Sequence, residues 1–220
     1  MTKRIMCFGD SLTWGWKPTL AGVPVERYRK EERWTGVLAG KLGDGFEIIE
    51  EGLSGRTTNV DDPLDPRLNG AMYLPSALAS HLPLDLVVLM LGTNDTKAYF
   101  NRTPFEIAAG ISKLVGQIAF SMGGVGTAYP APKVLLVAPP PLAAEMPSPW
   151  FDELFNGGRT KTLQMAQLYR KFADFAQIPF FDAGAVINTE GVDGIHFSVE
   201  NNAVLGTALA TAITSQVFSS

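Results

Sequence analysis

Leu86-Val87-Val88-Leu89-Met90-Leu91, followed directly by Gly92-Thr93-Asn94-Asp95, is the stretch from which the fold can be read. Six apolar residues without polar alternation predict a strand covered on both faces, as in the middle of a parallel sheet. Lys133-Val134-Leu135-Leu136-Val137 has the same character. Working outward, shorter apolar runs at Arg4–Phe8, Phe46–Ile49 and Pro179–Phe181 complete five predicted strands, with the central ones at Leu84–Leu91 and Lys133–Ala138. Between them lie segments of helical period. Thr103-Pro104-Phe105-Glu106 combines an N-cap, a proline at the first helical position and a capping-box glutamate. Ile107, Ile111, Leu114, Val115 and Ile118 then form the apolar stripe, and Gly123-Gly124 ends it. Further helices are predicted over Trp34–Leu42, Tyr73–Ser80, Lys161–Phe175 and Asn202–Phe218. Alternation of this kind predicts an α/β fold: a single-domain, three-layer α/β/α sandwich over residues 1–220 with a parallel, flavodoxin-like sheet.

Composition narrows the function. A chain of 220 residues with 46% hydrophobic and 18% charged residues suits one core. Its net charge of −4 lacks the basic footprint of a nucleic-acid binder. No apolar run is long enough to span a bilayer, and only four apolar residues follow Lys3-Arg4 before Gly9, too few for a secretory leader. The expectation is a cytoplasmic protein with no membrane partner. The lone cysteine, Cys7, falls in the first strand and reads as a buried thiol. Three long segments stand outside the alternation: Trp14–Arg33 with Pro18 and Pro24, Thr57–Asn69 with Asp61, Asp62 and Asp65, and Ala138–Arg159 with Trp150, Phe151, Leu154 and Phe155. Loops of that length serve as lids, pocket walls or oligomer contacts, or as plain surface. The three aspartates lie among prolines and read as solvated turn carboxylates rather than a cation site.

The chemistry-bearing residues follow the strands. Ser11, in Gly9-Asp10-Ser11-Leu12, sits at the C-terminal edge of the first. A serine hydroxyl needs a base, and that base an orienter. Asp193-Gly194-Ile195-His196 offers both, since one turn brings the carboxylate onto the imidazole. A turn-capping aspartate beside a surface histidine is the alternative. His81, at a predicted helix C-terminus, is explained by the helix dipole. Glycines at Gly52 and Gly55 and the carboxamide of Asn94 reach the same edge and offer donors for an oxyanion. The second glycine of a Gly-x-Ser-x-Gly elbow is missing, so an α/β-hydrolase is not supported.

With these residues in view, the chain resembles the SGNH hydrolases, or GDSL esterases, whose four blocks match Gly9-Asp10-Ser11-Leu12, Ser54-Gly55-x-Thr57, Gly92-x-Asn94-Asp95 and Asp193-x-x-His196. The resemblance implies the SGNH hydrolase fold, with Ser11 as nucleophile, His196 as base and Asp193 as its orienter. Its oxyanion hole would be the amides of Ser11 and Gly55 and the side chain of Asn94. Cys7 to Trp16, Arg33-Trp34-Thr35-Gly36, Asp65 to Gly70 and Leu91 to Lys97 are similar to one branch, the aryl esterases and acyltransferases of mycobacterial and rhizobial type. Close members of that branch can carry alanine at the position of Gly55. The branch implies short-chain and aryl ester substrates, acyl transfer to alcohols or hydrogen peroxide, no metal or organic cofactor, and a homo-oligomer, with an octamer among the states it allows. Trp14, Trp16, Leu12, Ile195, Phe197 and Trp150-Phe151 are the expected substrate-binding residues. Two other readings stand beside this one: a carbohydrate O-deacetylase with the same triad, favoured by an open groove, and a non-catalytic flavodoxin-like nucleotide module. The second is disfavoured because Asp10 stands where phosphate would bind.

Overall fold

The structure, a computed structural model, describes residues 2–20 and 25–219. Pro24 lies outside the described residues. Five strands, β1 (Lys3–Gly9), β2 (Phe46–Gly52), β3 (Leu86–Met90), β4 (Lys133–Ala138) and β5 (Phe180–Asp182), pair in parallel in the order β2-β1-β3-β4-β5. β3 is central and every residue in it is buried. Its unbroken hydrophobicity has a simple cause: Val87 and Leu89 face one helical layer, and Leu86, Val88 and Met90 face the other.

The helices are α1 (Ser11–Trp14), α2 (Trp34–Leu42), α3 (Gly70–His81), α4 (Pro104–Ala119), α5 (Pro149–Leu154), α6 (Gly158–Ala176) and α7 (Val199–Ala212). One layer is α3, α4 and α6, where Leu74, Leu78, Ile107, Ile111, Leu114, Met165 and Tyr169 cover Met6, Phe8, Val87, Leu89 and Leu136. The other is α2 and α7, where Trp34, Leu38, Leu205 and Leu209 cover Ile5, Cys7, Val88 and Val137. This is the three-layer α/β/α arrangement expected. Cys7 is fully buried, and burial raises its thiol pKa far above the ordinary value.

The capping box at Thr103 and Glu106 forms as expected, and α4 stops at Ala119, four residues before Gly123. β2 runs on to Gly52, three residues past the predicted apolar run, because the ladder with β1 continues through Glu50 and Glu51 to the Gly9–Gly52 pair. After α7 the chain tightens into one π-turn over Ile213–Val217 instead of continuing as helix to Phe218. The loop after β4 contains a short helix, α5, which no periodicity had announced.

The sheet order reverses at β1. From there the chain passes to β2 on one side, then returns to β3 on the other. Loops leaving the C-terminal ends of β1 and β3 therefore diverge and leave a crevice, the usual ligand position in an open α/β sheet.

Candidate active site

Ser11 is the first residue of α1, a single turn. Asp10 caps it, its Oδ1 accepting from the Leu12 amide at 2.9 Å. This places the Ser11 amide among the helix's first N–H groups, which have no acceptor within the helix. The Asp10 carboxylate is buried. Burial raises its pKa to about 7, against the lowering effects of the Leu12 amide and the Arg56 charge.

At the far end of the chain, the Asp193 carboxylate closes its own turn. Its Oδ1 accepts from the amides of Ile195 (3.0 Å) and His196 (2.9 Å), leaving Oδ2 to face His196 Nδ1 at 2.8 Å. Burial pushes the Asp193 pKa up, but the hydrogen bond and charge of His196 and the two amides outweigh it, so the carboxyl lies below its ordinary value. His196 Nε2 stands 2.9 Å from Ser11 Oγ. With Nδ1–H donated to Asp193, Nε2 is free to accept from the serine hydroxyl. Asp193 thus does cap a turn, as the alternative had it, while also holding the ring. The indole of Trp16 stacks on the imidazole, with centroids 4.8 Å apart and planes within 12°.

Gly55 and Asn94 come to the same place. Gly55 has φ +89°, a conformation that favours glycine, and an added Cβ would stand 3.0 Å from Leu68. An alanine here is strained in this backbone. Asn94 follows β3 by four residues and is buried; its Nδ2 donates to Arg56 O (3.2 Å) and Asp10 Oδ2 (3.3 Å).

These groups line a cavity of about 230 Å³. Ser11, Gly55, Asn94 and His196 lie along it, Trp16, Phe151, Leu154, Phe155 and Ile195 form its apolar wall, and Ser54, Thr93 and Lys97 complete it. Of the residues the sequence put forward for the pocket, Trp16 and Ile195 lie along this wall. Leu12 does not: it is buried in the core against Trp34, whose Nε1 donates to the Leu12 carbonyl at 3.0 Å. Phe197 is likewise a core residue. Trp150 is 74% exposed and off the cavity, because on α5 it lies about 100° round the helix from Phe151, and the face carrying Phe151, Leu154 and Phe155 is the one turned inward. The i, i+3, i+4 spacing of Phe151, Leu154 and Phe155 is a single triplet, too short to mark a helix in the sequence. Ser54 belongs to one of the matched blocks, whereas Thr93 and Lys97 carried no signal beyond their place within or just after another.

Asp62 departs from the solvated turn carboxylate expected. It is buried and accepts from Lys97 Nζ (3.0 Å), Tyr99 Oη (2.8 Å) and the Leu64 amide (2.9 Å), which anchors its loop to the cavity wall. His81 pairs with Glu51 at 2.8 Å, at the C-terminal end of α3. Among the described residues there is no group of three His, Cys, Asp or Glu able to hold a metal ion, and no helix is long and apolar enough to cross a membrane.

Comparison with known proteins agrees with this architecture. The family model of the GDSL-like lipase/acylhydrolases matches residues 7–204. An aryl esterase of M. smegmatis is 65% identical, with 98% of this chain and 100% of that one covered at a TM-score of 0.96. A carbohydrate acetylesterase from Sinorhizobium meliloti is 60% identical, with 97% and 99% covered at 0.95. A second S. meliloti structure, of a carbohydrate acetylesterase family member, is 40% identical over 96% and 97%, at 0.88. No curated protein matches the chain. A family model spanning nine-tenths of the sequence, on a sheet that carries the matched blocks to one edge, leads to one conclusion: this chain belongs to the GDSL-like lipase/acylhydrolase family.

Proposed function

We propose that this protein is a serine carboxylic ester hydrolase that works through an acyl-enzyme, acts on short-chain and aryl esters, and passes the acyl group to water, alcohols or hydrogen peroxide. The observation that carries the reading is the chain of contacts from Ser11 through His196 to Asp193, at 2.9 and 2.8 Å, opening into a largely apolar cavity. His196 Nε2 takes the hydroxyl proton as Ser11 Oγ attacks the ester carbonyl, and Asp193 stabilises the resulting imidazolium. The oxyanion is received by the amides of Ser11 and Gly55 and by Asn94 Nδ2. The two bonds that restrain Asn94 are long, and a developing oxyanion is a stronger acceptor than either partner carbonyl or carboxylate at that distance. His196 then protonates the departing alcohol, and the acceptor clears the acyl-enzyme by the reverse sequence.

A cavity of about 230 Å³ falls below the ~300–1,000 Å³ of drug-sized ligand sites, which supports short acyl groups. Its wall of Trp16, Phe151, Leu154, Phe155 and Ile195 supports aryl or alkyl groups over water as the acceptor, by desolvation. Carbohydrate O-deacetylation is the second reading, favoured by the 60% identity to the S. meliloti carbohydrate acetylesterase. Assembly as a homo-oligomer belongs to the same proposal. The test is hydrolysis of p-nitrophenyl acetate and of an acetylated sugar by the parent and by Ser11→Ala. Turnover of the aryl ester by the parent alone is the expected result, and adding an alcohol should divert product to the new ester. Faster turnover of the sugar ester would give precedence to the second reading, while activity surviving in Ser11→Ala would refute the mechanism.

A further inference from the structure

Arg56 is 2% exposed, yet among the described residues its guanidinium makes no ion pair with a carboxylate. Its Nη1 donates to two main-chain carbonyls, Gly9 at 2.9 Å and Glu51, and its Nε has no partner among the described residues. The guanidinium carbon stands 4.2 Å from the centre of the Phe8 ring and 5.1 Å from that of Tyr73. Burial lowers its pKa to about 10, with Glu51, Tyr73 and Asp10 acting the other way, so it is charged at neutral pH. Keeping an unpaired cation buried is costly, and a well-packed apolar residue would fill the space without that cost. What the arginine adds is reach.

Its contacts run to every arm of the oxyanion site. Gly55 is its covalent neighbour. Gly9, whose carbonyl it holds, is two residues before Ser11 and is the last residue of β1. Glu51, the other carbonyl, belongs to the end of β2, at the point where the ladder between the two strands gives out after the Gly9–Gly52 pair. The carbonyl of Arg56 itself accepts from Asn94 Nδ2. Past the last strand pair the Leu53 amide still donates to the Gly9 carbonyl at 3.1 Å, and the Arg56 side chain adds the second tie, holding that carbonyl together with that of Glu51.

We propose that Arg56 is a positioning residue that sets the mutual spacing of the three oxyanion donors, Ser11 N, Gly55 N and Asn94 Nδ2. The proposal rests on the esterase reading above. Arg56→Lys keeps the charge but lacks the planar fork, and Arg56→Met keeps only the bulk.

The experiment compares the parent, Ser11→Ala and both Arg56 variants in three measurements: kcat and KM on p-nitrophenyl acetate, inhibition by phenylboronic acid, and the pH profile of kcat/KM. Phenylboronic acid adds to a serine hydroxyl as a tetrahedral anion and so reports on the oxyanion site. In folded Arg56→Lys, kcat should fall about tenfold to a hundredfold with little change in KM. Boronate affinity should weaken in step, and the acidic limb of the pH profile should stay where it is, since the His196–Asp193 pair is untouched. Parental kcat and boronate affinity in folded Arg56→Lys would overturn the proposal. So would a loss of kcat with unchanged boronate affinity or a displaced acidic limb, which would mark a general structural role.

If neither Arg56 variant folds, Tyr73→Leu, at a half-exposed position beside the guanidinium, takes their place. A smaller joint loss of kcat and boronate affinity supports the proposal, and no change in either overturns it. An inactive parent, or an active Ser11→Ala, refutes the esterase reading itself. A normal Arg56→Lys beside an active parent and a dead Ser11→Ala refutes only the role of Arg56.

Discussion

Ser11 and His196 are separated by 185 residues in the chain and by 2.9 Å in space. Their pairing was legible because the chemistry admits few residue types: a serine after a strand, and one of only two histidines with an aspartate three residues before it. Asp193 spends one oxygen on the turn and the other on the ring, so its loss should both loosen the turn and leave the imidazolium unsupported. Asp193→Ala should nonetheless cost less than Ser11→Ala, on the order of 10⁴-fold in kcat against 10⁶-fold, because the base and the oxyanion donors persist. Single-turnover hydrolysis of p-nitrophenyl acetate measures both, and equal losses would contradict an orienting role. The stacking of Trp16 on His196 could not be read from their types, since it depends on a loop conformation that brings residue 16 back over residue 196.

Among the elements, the turn after β3 shows how closely backbone and site are joined. Gly92 has φ +123°, and a Cβ there would stand 2.2 Å from Tyr169 Oη, which donates to the Leu91 carbonyl at 3.0 Å. Gly92→Ala should therefore destabilise the fold by about 2 kcal/mol or more, from backbone strain and the clash with α6. It should also lower kcat, because Thr93 and Asn94 follow directly. Urea denaturation alongside kcat checks both, and a normal kcat in the folded variant would separate the turn from the site. α5 carries a different lesson. Its six residues are too few to show a period against the surrounding loop, so Trp150 and Phe151 looked equivalent until the helix turned one outward and the other toward the cavity. β2 was underestimated for a related reason: as an edge strand it can carry Glu50 and Glu51 beyond its apolar run, and a search for apolar runs stops short of them.

For the molecule as a whole, two buried aspartates pull its stability in opposite directions with pH. Asp10 binds its proton more tightly in the fold, at about 7 against an ordinary 3.8, so the stability it contributes is full below 3.8 and is lost as pH rises through about 7. Asp193, whose pKa is lowered, contributes stability above the ordinary value and loses it as pH falls. Asp10→Asn should raise Tm relative to the parent by an amount that grows as pH rises from 4 through about 7, as thermal melts across that range would show. It should at the same time lower kcat, since an amide cannot accept from both the Leu12 amide and Asn94 as the carboxylate does. A constant Tm difference across that range would contradict the assignment. The five strands, the three layers, and the serine, histidine and asparagine at one sheet edge were determined by the sequence itself, because hydrophobic period and the narrow choice of reactive side chains are local properties of a chain. Which aromatics wall the cavity, that Asp62 is buried against Lys97, and that Arg56 bridges two strand ends were decided only by the tertiary structure. Burial and the partner of a charged group are set by segments distant in sequence, and no local pattern records them.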